Sequence, residues 1–171
     1  MRALALLALL SSPAWADQLR LTGLLRDFTD AHPDFEAELG SDRGIVEDRL
    51  GADGKPVYAP ADRSDTTHGR AAFDQWYRDV PQVNQRAPIV LTLVNSPADP
   101  HIYTFRDLDF FPIDGQLLGD QGRDHNFHFT VELHTTFVYE GGEVLTFEGD
   151  DDLWVFVNGR RVIDLGGVHG V

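Results

Sequence analysis

Residues 126–140 read "NFHFTVELHTTFVYE". Phe127, Phe129, Val131, Leu133, Phe137 and Tyr139 share one parity, while His128, Thr130, Glu132, His134 and Thr136 share the other. Successive side chains alternate faces along a strand, so this spacing predicts a strand with one apolar and one polar face. Downstream, Gly141-Gly142 leads into "EVLTFE", a second predicted strand. Beyond it "DLWVFV" and "RRVIDL" flank Asn158-Gly159, the pair best suited to a type I′ hairpin turn, whose two central residues need positive φ. Upstream, "LRLTGLLRDF", "APIVLTLV" and "HIYTF" carry strand-like patterns as well.

Two segments break the β pattern. In "GRAAFDQWYRDV", Phe73, Trp76, Tyr77 and Val80 recur at helical spacing, which predicts an amphipathic helix whose aromatic stripe docks on the core. "TDAHPDFE" predicts a turn into a short helix, with Pro33 at an early helical position. From Gly40 to His68 the chain is rich in Gly, Asp and Pro and reads as a long surface excursion. Many short strands separated by such turns predict an all-β sandwich or barrel with one or two short helices.

The 171 residues suffice for one domain with its own core. "MRALALLALLSSPAWA", residues 1–16, has a basic start at Arg2, an apolar run to Leu10 and Ala14-Trp15-Ala16, the plan of a secretory signal peptide cleaved after Ala16. Its apolar run is too short to span a bilayer. The expectation is therefore a leader over 1–16, a single domain over 17–171, and a secreted or cell-surface destination without membrane insertion. The chain stops at Val171 in a Gly-rich loop just after a strand, which predicts that the last strands of such a fold lie beyond it. A net charge of −14 argues against nucleic acid and anionic membrane surfaces as partners. Cysteine is absent, which removes disulfides, thiolate metal sites and cysteine nucleophiles together.

Asp150, Asp151 and Asp152 stand side by side at the entry to "LWVFV". Adjacent carboxylates repel, so either the triplet is a solvated turn or a cation belongs there. Carboxylates with nearby carbonyls suit Ca²⁺, although the spacing is not that of an EF-hand. His128, Glu132 and His134, with His125 close in sequence, offer a rival zinc set, which a solvated strand face would resemble equally. No nucleophile elbow and no phosphate-cradling glycine loop appears, so nothing in the chain argues for an enzyme.

"GGEVLTFEGDDDLWVFVNGRRVIDLGGVHG" closely resembles the fibro-slime domain of secreted and cell-surface proteins of bacteria and slime moulds. "RDFTDAHPDFE", "FDQWYRDVPQVN", "FFPIDGQLLGDQGRDHNFHFT" and "VELHTTFVYEGGE" match it too, in order along nearly the whole mature chain. That domain is in turn similar to the PA14 β-sandwich of adhesins, toxins and glycosidase accessory modules. The resemblance implies a PA14-like antiparallel β-sandwich with Ca²⁺ held by Asp150 and Asp151 across a cis peptide bond. It implies supporting or ligand-contacting roles for Asp152 and Asn158. Trp154, if exposed, would stack on a sugar face, although its alternation along the strand suits the core equally, and Gly166, Gly167 and His169 read either as a Gly-rich turn or as ligand contacts at the same edge. In PA14 lectins further ligands follow the hairpin, where this chain has ended. The resulting expectation is an exported, Ca²⁺-dependent carbohydrate-binding or adhesion module whose partner is an extracellular glycan or matrix polysaccharide. The alternatives are a structural slime or matrix protein in which calcium rigidifies a loop, and, behind it, a metal-dependent hydrolase.

Overall fold

In the computed structural model, which describes residues 17–35, 40–149 and 151–168, two antiparallel sheets carry the chain. The larger has the order β3-β2-β1-β4, with β1 Gln18–Phe28, β2 Asn84–Asn95, β3 Tyr103–Thr104 and β4 Phe129–Leu133. The smaller is the hairpin of β5 Leu153–Val157 and β6 Arg160–Leu165. A 3-10 turn at Pro33–Phe35 and the single helical turn α1, Arg70–Phe73, complete an all-β fold. The predicted leader lies outside the described residues.

Alternation in β1 is answered across both neighbours. Leu21 faces Leu91, and Leu25 lies between Ala87 and Val131. These positions build an apolar sheet face whose centre, Leu25 and Ile89, is covered by Ile113 and Phe110 from the loop between β3 and β4. Pro88 cannot donate to a ladder, and it sits where β2 pairs with β1 alone, because β3 reaches only Val94 and Asn95.

The second core lies under the hairpin. Ile45, Val46, Tyr58, Phe73 and Trp76 form it, with Trp154 and Phe156 of β5 packed against it. Phe35 joins the two halves: its ring stacks on Phe28 at the end of β1 (4.5 Å) and lies 5.6 Å from the Trp76 ring.

Three expectations change here. The excursion from Gly40 to His68 is core rather than surface at its apolar points, since Val46 and Tyr58 bridge one another and are buried with Ile45. It also clasps the hairpin, with the Leu50 N–H donating to Gly159 O (3.0 Å) and the Arg161 N–H to Asp48 O (2.9 Å). The predicted long helix shortens to Arg70–Phe73, although Phe73 and Trp76 are buried as expected. The Thr130 hydroxyl donates to Trp76 O (2.6 Å), and Asn84 Nδ2 donates to Gln75 O and Arg78 O, so these carbonyls serve tertiary bonds instead of a helix. Finally, β4 ends at Leu133, and neither 134–140 nor "EVLTFE" is in a strand. The β1–β4 ladder stops at Gly23–Leu133, and without a partner beyond it the alternation has nothing to pair with.

Candidate functional site

The open end of the hairpin gathers the acidic turn. Asp152 is half-buried, and its Oδ1 accepts the Gly167 N–H at 2.6 Å, closing the mouth between the start of β5 and the end of β6. The strap that follows β6 then runs beside residues 40–42: the Asp42 N–H donates to Gly166 O (2.7 Å) and the Gly40 N–H to Val168 O (2.9 Å). Glycine is required in this strap. A Cβ on Gly166 would fall 2.2 Å from Asp42 O, and one on Gly167, at φ 99°, would fall 2.1 Å from Gly40 O.

Two further carboxylates fasten the same end. Asp42 Oδ2 accepts from the Thr66 N–H (2.8 Å) and hydroxyl (2.9 Å). Asp164 accepts from Trp154 Nε1 (3.1 Å), the Gly44 N–H (3.0 Å) and Arg161 Nη1. On the inner side stands Tyr77. Burial pushes its phenol well above the ordinary range, the charges of Asp152 and Glu132 add to this, and Arg26 opposes it. Glu132 is the hub of an ion network, receiving Arg26 Nη1 (2.8 Å), Lys55 Nζ and His134 Nε2 (2.6 Å). Burial alone would raise its carboxyl, but the bonds from Lys55, His134 and Arg26 outweigh that and lower it to about 2.

The site residues expected from sequence fall into three groups. Asp151 and Asp152 share the hairpin mouth, with Asp151 exposed. Asp150 and His169 lie outside the described residues, and so does the Asp150–Asp151 peptide bond. Trp154 turns inward from the mouth, and Asn158 lies away from it. The Trp154 ring is half-buried, 5.9 Å from Phe73 and 6.0 Å from Trp76, with its N–H spent on Asp164, so it serves the core. Asn158 makes the turn as expected, at φ 51° beside Gly159 at φ 73°, but at the far end of the hairpin. Seven residues at about 3.3 Å each put it about 23 Å from Asp151, too far to share a ligand.

The rival zinc set does not assemble. His128 is buried, His125 bonds Asp114 (2.7 Å) and stacks on Phe111, and Glu132 is occupied by cations. Among the described residues no three metal-ligating side chains come together. The sequence gives no sign of the roles of Asp42 and Asp164, and it marks Tyr77 only as part of an aromatic stripe, because each acts through residues distant in the chain.

Comparison with known proteins adds a relationship. This chain is similar to the psi proteins of Dictyostelium discoideum. It is 39% identical to psiR over 170 residues, 40% identical to psiQ over 144 and 38% identical to psiD over 170. These matches take in 90%, 77% and 90% of this chain but only 17%, 14% and 33% of the relatives. The chain thus spans a third or less of the psi proteins compared. No family model and no solved structure matches it.

Proposed function

We propose that the chain is an exported, Ca²⁺-dependent carbohydrate-binding or adhesion module, a fibro-slime domain of PA14-like ancestry. The observation that carries this reading is the acidic turn at the hairpin mouth, where exposed Asp151 adjoins an Asp152 pinned to the glycine strap. Its donors are oxygens alone, the chemistry that a hard cation accepts. Asp150 and Asp151 are the residues to hold the ion, with Asp152 fixing the turn and the strap shaping its edge. Bound there, calcium would offer its remaining coordination positions to sugar hydroxyls. An acidic surface also suits solubility outside the cell.

Isothermal titration of the chain with CaCl₂, beside Asp151→Ala, tests the metal, and a glycan array with and without chelator tests the ligand. Saturable binding lost in the variant is expected. A calcium site that is saturated a hundredfold over its Kd would add about 2.7 kcal/mol to stability. No calcium binding by the wild-type chain, alone or extended past Val171, overturns the reading.

One observation favours a second account. Asp152 already spends an oxygen on Gly167, so this carboxylate fastens the loop by itself. Calcium-dependent melting with no glycan bound in any condition would select that account, a structural matrix module.

A further inference from the structure

A separate site lies where the loop after β3 folds back toward β2. It leaves a cleft of about 280 Å³ walled by Phe105, Phe110 and Phe111, with Ile89 and Leu91 of β2 also lining it and the exposed carboxylates of Asp107 and Asp109 at its side. The aromatic walls are held in place from behind. Phe110 meets Phe105 edge-on (5.9 Å, 82°) and Phe129 at 6.2 Å, while Phe111 lies flat on His125 (4.1 Å, 8°). The turn between the acids is fixed too, since the Asp109 N–H donates to Asp107 Oδ1 (3.0 Å), leaving Oδ2 for an incoming donor.

Among the described residues no lysine or arginine lines this cleft, and Arg106, which precedes the two acids in sequence, is not among its walls. The nearest imidazole, His125, lies behind Phe111 and is engaged by Asp114 (2.7 Å), so the aromatic walls and the two carboxylates beside them define the occupant. A neutral apolar group would desolvate the acids without compensation. An anion would be repelled. A cation on an aliphatic stem gains from the ring quadrupoles and from both charges, while its methylenes cover the apolar walls. The net charge of −14 draws basic molecules toward the chain.

We propose that this cleft binds a lysine side chain of a basic partner peptide. The ammonium sits against Asp107 and Asp109, and the stem lies across Phe105, Phe110 and Phe111. This site is independent of the hairpin mouth and of calcium.

The test is an NMR titration of the whole chain, with chelator present, using acetyl-Gly-Lys-Gly-amide and its norleucine counterpart, which keeps the stem and lacks the ammonium. The lysine peptide is expected to shift the amides of residues 105–111 saturably and to weaken as salt is added. Asp107→Asn with Asp109→Asn should weaken it about fivefold, and Phe105→Leu, which keeps the apolar volume but removes a π face, should weaken it as well. The acids are exposed, so the double variant should melt as the wild type does; if it misfolds, the salt titration of the wild type still decides. Equal binding of the norleucine peptide, shifts scattered over the acidic surface, or no saturable shift at 105–111 would each overturn the assignment.

Discussion

His32 shows what one buried imidazole does to this molecule. Its ring packs between Phe28 (5.0 Å, edge-on) and Phe35 (4.8 Å), at the joint between the two cores. Nδ1 accepts the Asp34 N–H at 3.3 Å, which leaves the ring proton on Nε2. Burial lowers its pKa from the ordinary 6.5, with the Asp34 charge opposing and His68 adding to the effect. Between that lowered value and 6.5 the unfolded chain takes up a proton that the folded chain refuses, so stability is full above about pH 6.5 and falls as the pH drops through this window. The Asp34 carboxylate, which accepts from the His68 N–H (2.7 Å) and from Trp76 Nε1 (3.0 Å), ties the same joint to α1 and the turn after it. His125 has the opposite sign, since its bond to Asp114 raises its pKa, but that pair lies at the surface and is screened by salt. Glu132 acts in a lower window, losing its contribution as pH falls from 4.5 toward about 2. Urea midpoints at about pH 7.5 and about pH 5.5 in moderate salt should therefore drop on acidification. His32→Phe should reduce that slope; an unchanged slope would mean that another group sets it.

At the scale of elements, the hairpin and its strap carry the sharpest energetic contrast. Gly159 occupies a left-handed turn position with open space around its Cα, so alanine there meets only backbone strain, about 1 kcal/mol. Gly166 instead faces Asp42 O, and a methyl group must push residues 40–42 away from the strap. Gly166→Ala should cost about 2–3 kcal/mol, lower the melting temperature more than Gly159→Ala and, by loosening the mouth, weaken any calcium binding; equal melting of the two variants would show that the strap is not tightly held. The hairpin itself was legible, because Asn158-Gly159 between apolar runs leaves little else for the backbone to do. Its register was not. A regular ladder from that turn would set Asp164 opposite Leu153, but a bulge between Val155 and Phe156 shifts it to Trp154, creating the indole–carboxylate bond that fastens the site. No side-chain pattern announces such a bulge. The buried points of the excursion are hidden in the sequence for a related reason: Ile45-Val46 and Val57-Tyr58 are two-residue apolar runs with no period, and only their pairing across the core gives them meaning.

Across the whole molecule, the sequence pattern and the packing part company between β4 and β5. Parity in 126–140 and the apolar content of "EVLTFE" were enough to identify an all-β chain, since alternation reports which residues can share a face. Whether a strand forms also depends on a neighbour to pair with, and parity is silent on that. Residues 134–149 consequently hold a run of apolar side chains in solvent: Val138, Tyr139 and Val144 are 80%, 74% and 83% exposed. Beside them the apolar face of the larger sheet is covered at its centre but leaves Leu19 and Leu133 open at its margins. Exposed apolar surface on this scale binds apolar probes, while the net charge of −14 keeps the chain dispersed and would repel an anionic dye. Nile red, which is neutral, should therefore fluoresce with the native chain in the absence of denaturant. Val138→Ser with Val144→Ser should cut that signal by about half without lowering the melting temperature, because neither side chain is packed. A dark native protein, or a double variant that unfolds, would mean that 134–149 is covered in solution by contacts of its own.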